Sequence, residues 1–296
     1  MSAWNILYRG PLSSCNYDCG YCPFAKTSNT RAELQRDEEA LDRFVQWVAR
    51  QRNSMGILFT PWGEALIHSY YRRAIIHLSR LPNVTRVSIQ TNLSAPVEDL
   101  SHGNIERIAL WTTFHPSQTT IPRFVSRCQD LDRAGLRYSV GVVGLRENFG
   151  ALDELRRLLP RDVYLWINAY KRQAEYYTEA DLQRLLAVDP YFHWNLQRYP
   201  SSGKPCAAGE TTFTVDGDGN VRRCHFIDAV IGNIYHDDWQ QSLKRRLCSS
   251  AACGCHIGYI HRPELQLDQL FGPGLLERIP SVWPEINPAF LQPRRQ

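Results

Sequence analysis

The chain has 296 residues, 43% of them apolar and 22% charged, with a formal net charge of +4. It is long enough to bury a sizeable core, its basic residues are too scattered to favour nucleic acid, and it holds no apolar run long enough to span a membrane. Nine cysteines, in a chain whose first residues lack the pattern of a secretory signal, point to a cytoplasmic protein whose thiols serve metal or redox chemistry rather than disulfides.

Apolar runs of strand length occur at Trp4 to Tyr8, Ile57 to Thr60, Arg86 to Gln90, Ile108 to Phe114, Tyr138 to Val143 and Val163 to Asn168. Helical periods lie between them. Leu34, Leu41, Phe44, Val45 and Val48 share one stripe, with Glu33, Arg36, Asp37, Glu38 and Arg43 on the other side. Ile67, Tyr71, Ile75 and Leu78 form a second stripe, and Leu152, Leu155 and Leu158 a third. Strands alternating with helices imply parallel pairing, since a crossover lets neighbours run the same way. The loops at the C-terminal ends of such strands are where a site is built. This pattern fits a curled partial barrel and a flat doubly wound sheet equally, so loop content has to decide.

The alternation stops at Tyr199-Pro200-Ser201-Ser202-Gly203-Lys204-Pro205, which reads as a linker. Glu210 to Val215 and Val221 to Phe226 then flank Asp216-Gly217-Asp218-Gly219-Asn220, a hairpin signal. A helix is expected from Asp238 to Leu247, with Lys244-Arg245-Arg246 at its C-terminal end favouring the dipole. The segment after Pro273 is proline-rich and is expected to wrap the surface in extended form. The expected division is 1–199, 200–272 and 273–296.

Cys15, Cys19 and Cys22 sit in the loop after the first expected strand. Their CxxxCxxC spacing lets one short loop give three thiolates to a cubane cluster and leave one iron open. A structural zinc needs four protein ligands, and no nearby Cys or His supplies the fourth. Glu64, after the second strand, suits an ammonium partner in a partly dry site and equally the first turn of a helix. Asn92 or Ser94, after the third, suits an N-cap.

In this order the motifs resemble the radical S-adenosylmethionine (radical SAM) superfamily, whose signature is CxxxCxΦC with an aromatic residue at Φ, here Tyr21. Thr60-Pro61-Trp62-Gly63-Glu64-Ala65-Leu66 resembles the family's GGEP-like turn, with Trp62 and Ala65 replacing the first Gly and the Pro. Gln90-Thr91-Asn92-Leu93-Ser94 resembles its TNG turn. Gly141-Val142-Val143-Gly144-Leu145-Arg146-Glu147 resembles the fifth strand's GxIxGxxE when Gly144 and Glu147 are set on the second half, which leaves Val140 at the first Gly. The resemblance implies an α/β fold, a partial (βα)6 TIM-like barrel with a small C-terminal cysteine-rich α+β extension. It further implies a 4Fe-4S cluster on Cys15, Cys19 and Cys22, with SAM chelated at the open iron. Gly63, Glu64, Thr91, Asn92, Gly144 and Asn168 are the implied SAM contacts. Reductive cleavage of SAM would give a 5′-deoxyadenosyl radical that abstracts hydrogen from substrate, with an electron donor such as flavodoxin or ferredoxin.

Cys206 and Cys224 flank the expected hairpin, four residues separate Gly219 from Cys224, and Cys253-Gly254-Cys255 follows. This resembles the SPASM and twitch extensions and implies a second 4Fe-4S cluster on Cys206, Cys224, Cys253 and Cys255, with Cys248 an alternative ligand. The same thiolates suit zinc, and His225 or His256 could substitute. Cys128 is expected to be a small buried hydrophobe. His115 is assigned a capping or structural role in preference to a substrate or general-base one, and Trp62, Trp111 and Trp166 could line the mouth, although aromatic residues at strand ends more often serve packing. Extended family members often modify peptides or proteins, which is the expected substrate class. A small metabolite, or a non-catalytic zinc or iron-sulfur module, is the alternative.

Overall fold

The computed structural model describes residues 3–282. Strands β1 (Trp4–Arg9), β2 (Met55–Phe59), β3 (Val84–Thr91), β4 (Ile108–Phe114), β5 (Arg137–Val143) and β6 (Leu165–Asn168) lie side by side in that order, all parallel. Helices α1 (Arg31–Arg50), α2 (Ser69–Arg80), α3 (Ile121–Arg133) and α4 (Phe149–Leu158) make the crossovers, while β3 reaches β4 through only a 3-10 turn at Glu98–His102. α5 (Glu179–Val188) and α6 (Phe192–Leu196) follow β6.

Alternation along the strands sorts side chains to two faces. Ile6, Tyr8, Ile57, Phe59, Val87 and Leu110 join the main core with the crossover helices. Leu7, Leu58, Trp111 and Trp166 face the other way and are covered by Ile257, Tyr259, Leu267, Phe271 and Leu276 from the C-terminal part of the chain. The sheet stays open, since β6 pairs with β5 and with no other strand of the sheet.

The expected extension is knit into this sheet. β7 (Tyr199–Pro200) and β8 (Pro205–Cys206) are followed by β9 (Thr212–Asp216), which pairs in parallel with β1 from Asn5↔Thr212 to Arg9↔Asp216. β10 (Asn220–Arg222) and β11 (Val230–Asn233) continue it antiparallel, giving nine strands. The turn between β9 and β10 is held by Asp216 Oδ1, which accepts from the backbone N–H groups of Asp218 and Asn220 at 3.0 and 2.9 Å. β12 (Arg246–Leu247) pairs with β8 and β13 (Ala252–Cys253) with β7.

Two expectations are corrected. No helix runs from Asp238 to Leu247. A 3-10 turn at Trp239–Ser242 is entered through Asp238 at φ 60°. Trp239 is drawn into the core edge-on to Trp4, Trp47 and Phe213, and the carbonyls of Arg246 and Leu247 accept from the Arg223 guanidinium. Lys244-Arg245-Arg246 therefore has no helix dipole to favour. The segment from Pro273 to Val282 is not an outer wrap either. Glu277 is fully buried, accepting from Arg137 at 2.9 Å with Arg86 3.8 Å away, and its carbonyl accepts from the Ser139 hydroxyl at 2.9 Å. The rest of the expected wrap, 283–296, lies outside the described residues.

Candidate active site

The three-cysteine loop is pinned at both ends. Asp37 on α1 accepts from the Leu12 N–H at 3.1 Å and from the Tyr70 and Tyr71 hydroxyls at 2.8 and 3.3 Å. Asn29 Oδ1 accepts from the N–H groups of Ser13 and Ser14 at 2.9 and 2.8 Å, one residue before the Thr30–Glu33 capping box that starts α1. The loop between these anchors lays Cys15, Cys19 and Cys22 on the wall of a cleft of about 430 Å³ at the C-terminal ends of the parallel strands. That is where an α/β sheet places its site, and the volume suits a small-molecule ligand.

Around the sulfurs, the Tyr17 N–H donates to Cys15 Sγ at 3.4 Å, and Asn92 Nδ2 lies 3.7 Å from the same atom. Cys19 Sγ is 3.4 Å from His115 Nδ1, which also meets the Tyr21 hydroxyl at 2.7 Å. Burial lifts the Cys15 thiol and pushes Cys19 up to about 11, so the protein alone leaves them protonated and a bound metal is what would make them thiolates. Among the described residues no three His, Cys, Asp or Glu side chains are drawn into a ready metal-binding group. Burial lowers His115 to about 4. It is a neutral ring stacked on Tyr21 on the cleft wall.

Gly63 is explained by contact. A Cβ on it would fall 1.6 Å from the Ser14 carbonyl oxygen, and the next N–H, on Glu64, donates to that oxygen at 3.2 Å. The loops after β1 and β2 thus touch backbone to backbone. Glu64 is 2% exposed and caps the 3-10 turn Ala65–Ile67. Its Oε1 accepts from the Thr91 hydroxyl and the Leu66 N–H at 2.7 and 3.1 Å, and its Oε2 from the Asn92 N–H at 2.5 Å. Glu64 therefore ties the turn after β2 to the turn after β3, while still lining the cleft with Gly63, Thr91 and Asn92. Burial raises its carboxyl to about 7, against the three hydrogen bonds. In the third turn Leu93 stands where the resembled motif has Gly and adopts φ 57°, a conformation unfavourable for a side chain with a Cβ.

Asn168, at the end of β6, lines the cleft, whereas Gly144 does not. A Cβ on Gly144 would lie 2.7 Å from the Tyr177 hydroxyl and 2.9 Å from Ile167 Cγ2, so this glycine makes room for packing behind the wall. Trp111 and Trp166 line the cleft edge-on to each other. Trp62 is 47% exposed and stacks on Phe24 at the rim. Cys128 is buried, as expected.

The later cysteines divide. Burial raises the Cys206, Cys224 and Cys253 thiols, and the neighbouring sulfurs add to it: Cys248 at Cys206, Cys206 and Cys248 at Cys224, and Cys224, Cys255 and Cys206 at Cys253. The β8–β12 pairing sets Cys206 opposite Arg246, and the N–H of Cys248, two residues further on, donates to the Lys204 carbonyl at 2.9 Å. Cys255 alone of this group lines the same cleft as Cys15, Cys19 and Cys22. Sequence reasoning missed Lys171, Arg198 and Arg278 on the cleft wall. The position of Lys171 just beyond the sixth strand was a usable signal, but nothing near Arg278 in sequence tied it to the site.

The fold, an α/β sheet with its parallel strands aimed at one cleft, is shared with solved structures of anSMEcpe. The structure of native anSMEcpe with bound AdoMet and Cp18Cys peptide superposes with a TM-score of 0.54 at 14% identity, over 93% of this chain and 98% of that one. Native anSMEcpe with AdoMet and Kp18Cys peptide gives a TM-score of 0.56 at 14% identity, over 81% and 80%. No family model matches the chain, and no curated protein does.

Proposed function

We propose that the protein is a radical SAM enzyme that modifies a peptide or protein by hydrogen abstraction. The observation that carries this reading is the convergence of Cys15, Cys19 and Cys22 with Glu64 and Asn92 on one cleft, in a fold shared with anSMEcpe. The donor set fits a 4Fe-4S cluster, with three sulfurs on one pinned loop and amide donors from Tyr17 and Asn92 beside Cys15. When bound together, the cluster and SAM supply the electron and the sulfonium bond from which a 5′-deoxyadenosyl radical is made.

The chain's own residues hold and orient. Gly63 lets the second loop close on the first, and Glu64 fixes Thr91 and Asn92 on the cleft wall. Asn168 extends the polar lining at the far end of the sheet, where SAM's adenine would lie. Gly144 is assigned to shaping that end from behind. The peptide class is supported by the anSMEcpe structures, whose bound ligands are AdoMet and peptides. Cys206, Cys224 and Cys253 are assigned to a second 4Fe-4S cluster within the 200–272 region, beside the 1–199 SAM-cleaving region. Cys248 is the better fourth ligand, because it lies close to both Cys206 and Cys224 whereas Cys255 opens on the cleft.

Anaerobic reconstitution tests this. We expect about eight irons per chain and release of 5′-deoxyadenosine on addition of dithionite and SAM. Replacing Cys15, Cys19 and Cys22 by Ala should abolish that release, and Cys206→Ala with Cys224→Ala should remove about half the iron. Little iron with stoichiometric zinc would defeat the reading.

A further inference from the structure

We infer that the floor of the cleft is an anion site, and that the substrate carries a carboxylate or phosphate that docks on Arg278, Lys171 and His256; this rests on the reading of the cleft as a radical SAM active site. Arg278 is 4% exposed and enters from the C-terminal segment. Its guanidinium lies 4.2 Å from the Trp166 ring centroid and 5.7 Å from that of Trp111, and its Nε has no hydrogen-bond partner among the described residues. His256, 5% exposed, stands edge-on to Trp111, and its Nε2 is also without a partner. The Tyr259 hydroxyl accepts from Asn195 Nδ2 at 3.0 Å, which leaves its proton for His256 Nδ1 at 3.3 Å. His256 Nε2 then carries the ring's own hydrogen, a donor directed at whatever fills the cleft.

Lys171 adds charge to the same wall. Its Nζ reaches only the carbonyls of Gly254 and Gln197, at 2.5 and 3.4 Å. Burial pulls it down to about 8, and Arg198 and Arg278 push the same way. Like charges are thus gathered, and the buried Asp189 carboxylate that senses Arg278 is taken up by the Tyr164 hydroxyl and the Ile167 and Tyr191 N–H groups. The one carboxylate on the cleft wall, Glu64, is engaged by Leu66, Thr91 and Asn92, and neither Lys171, Arg198 nor Arg278 forms an ion pair among the described residues. Buried cations and unmatched donors are costly unless a partner arrives, and a planar guanidinium fixed on indole faces suits carboxylate and phosphate oxygens. The floor is built from the loop after β6 and the C-terminal segment. It stands apart from the loops after β2 and β3, which hold Gly63, Glu64, Thr91 and Asn92, and it borders Asn168, the expected adenine contact at the end of β6.

The test uses reconstituted, anaerobic protein, with and without saturating SAM. Thermal unfolding is followed while sodium succinate or sodium phosphate is titrated against sodium chloride of equal ionic strength. We expect saturable stabilisation by at least one anion that persists with SAM bound. Arg278→Gln and Lys171→Gln should each weaken it about tenfold or more; Lys171 is only partly buried, so its variant serves if Arg278→Gln does not fold. Response to succinate alone indicates a carboxylate substrate, and response to phosphate alone a phosphorylated one. No effect beyond sodium chloride, or unchanged affinity in the variants, overturns the inference. So does an anion effect that vanishes under saturating SAM, since the cations would then belong to SAM's own carboxylate. Deoxyadenosine release by the wild-type protein is measured on the same samples. Its absence alongside intact anion binding would defeat the enzyme reading while leaving the anion site standing.

Discussion

Glu64 accepts three hydrogen bonds from two neighbouring turns, yet burial holds its carboxyl at about 7, above the ordinary 4.5. Between these values the folded protein binds the proton more tightly than the unfolded chain does, so stability falls as pH rises through that window and is greatest below it. The shift corresponds to about 3 kcal/mol at most. Denaturant unfolding of metal-free protein should show this slope. Glu64→Gln should flatten it while costing about 1–3 kcal/mol, because the Asn92 N–H loses its acceptor; a slope unchanged in the variant would assign the effect elsewhere. Gly63 is the second sensitive position. A methyl there meets the Ser14 carbonyl at 1.6 Å, backbone that cannot swing aside, so Gly63→Ala should destabilise by about 3 kcal/mol or more and suppress deoxyadenosine release. A variant with wild-type melting would sink that account. Both residues were legible as members of a motif, but their reasons were not. Gly63 answers to a carbonyl on another loop, and Gly144, legible in the same way, proves to make room for Tyr177. Spacing along the chain shows which residues share a turn, not which turns press together.

At the scale of elements, the six parallel strands were readable because each is an apolar run buried on both faces, flanked by helices with one apolar stripe. The helix expected at Asp238 to Leu247 failed because one residue, Trp239, is worth more in the aromatic cluster with Trp4, Trp47 and Phe213 than as part of a helical face. Tertiary packing of that kind overrides local propensity. The segment after Pro273 was misread for a related reason: its prolines suggested a surface path, while Glu277 and Arg278 are buried in the interior. Glu277 joins Arg137 and Arg86 beneath the sheet, so Glu277→Ala should leave two cations without their acid. Breaking a buried pair costs about 3–5 kcal/mol, and since both arginines keep some solvent contact, at 34% and 25% side-chain exposure, the low end is expected. Equilibrium unfolding measures it, and a loss below that of an ordinary surface substitution would show the segment to be dispensable.

The whole molecule depends on a pairing that no local pattern announces. β9 lies beside β1 although about two hundred residues separate them, and the two match over five pairs from Asn5↔Thr212 to Arg9↔Asp216. The linker-like composition before Pro205 therefore does not mark a place where the sheet ends. Phe213, Val215 and Val221 enter the same core as Ile6 and Tyr8, and residues from Ile257 to Leu276 cover Leu7, Leu58, Trp111 and Trp166 on the opposite face. A fragment of residues 1–199 would expose the open edge of β1 and that apolar face together, a combination that invites aggregation. The fragment is expected not to fold, and the apo full-length chain to unfold in one cooperative transition with coincident near- and far-ultraviolet circular dichroism signals. A soluble fragment with its own sharp melt, or two resolved transitions in the full chain, would show that the N-terminal sheet stands alone. The same dependence bears on function. Cys255, His256 and Arg278 complete the wall of a cleft whose cysteines come from the other end of the chain, so the site is finished only when the last strands and the C-terminal segment have docked.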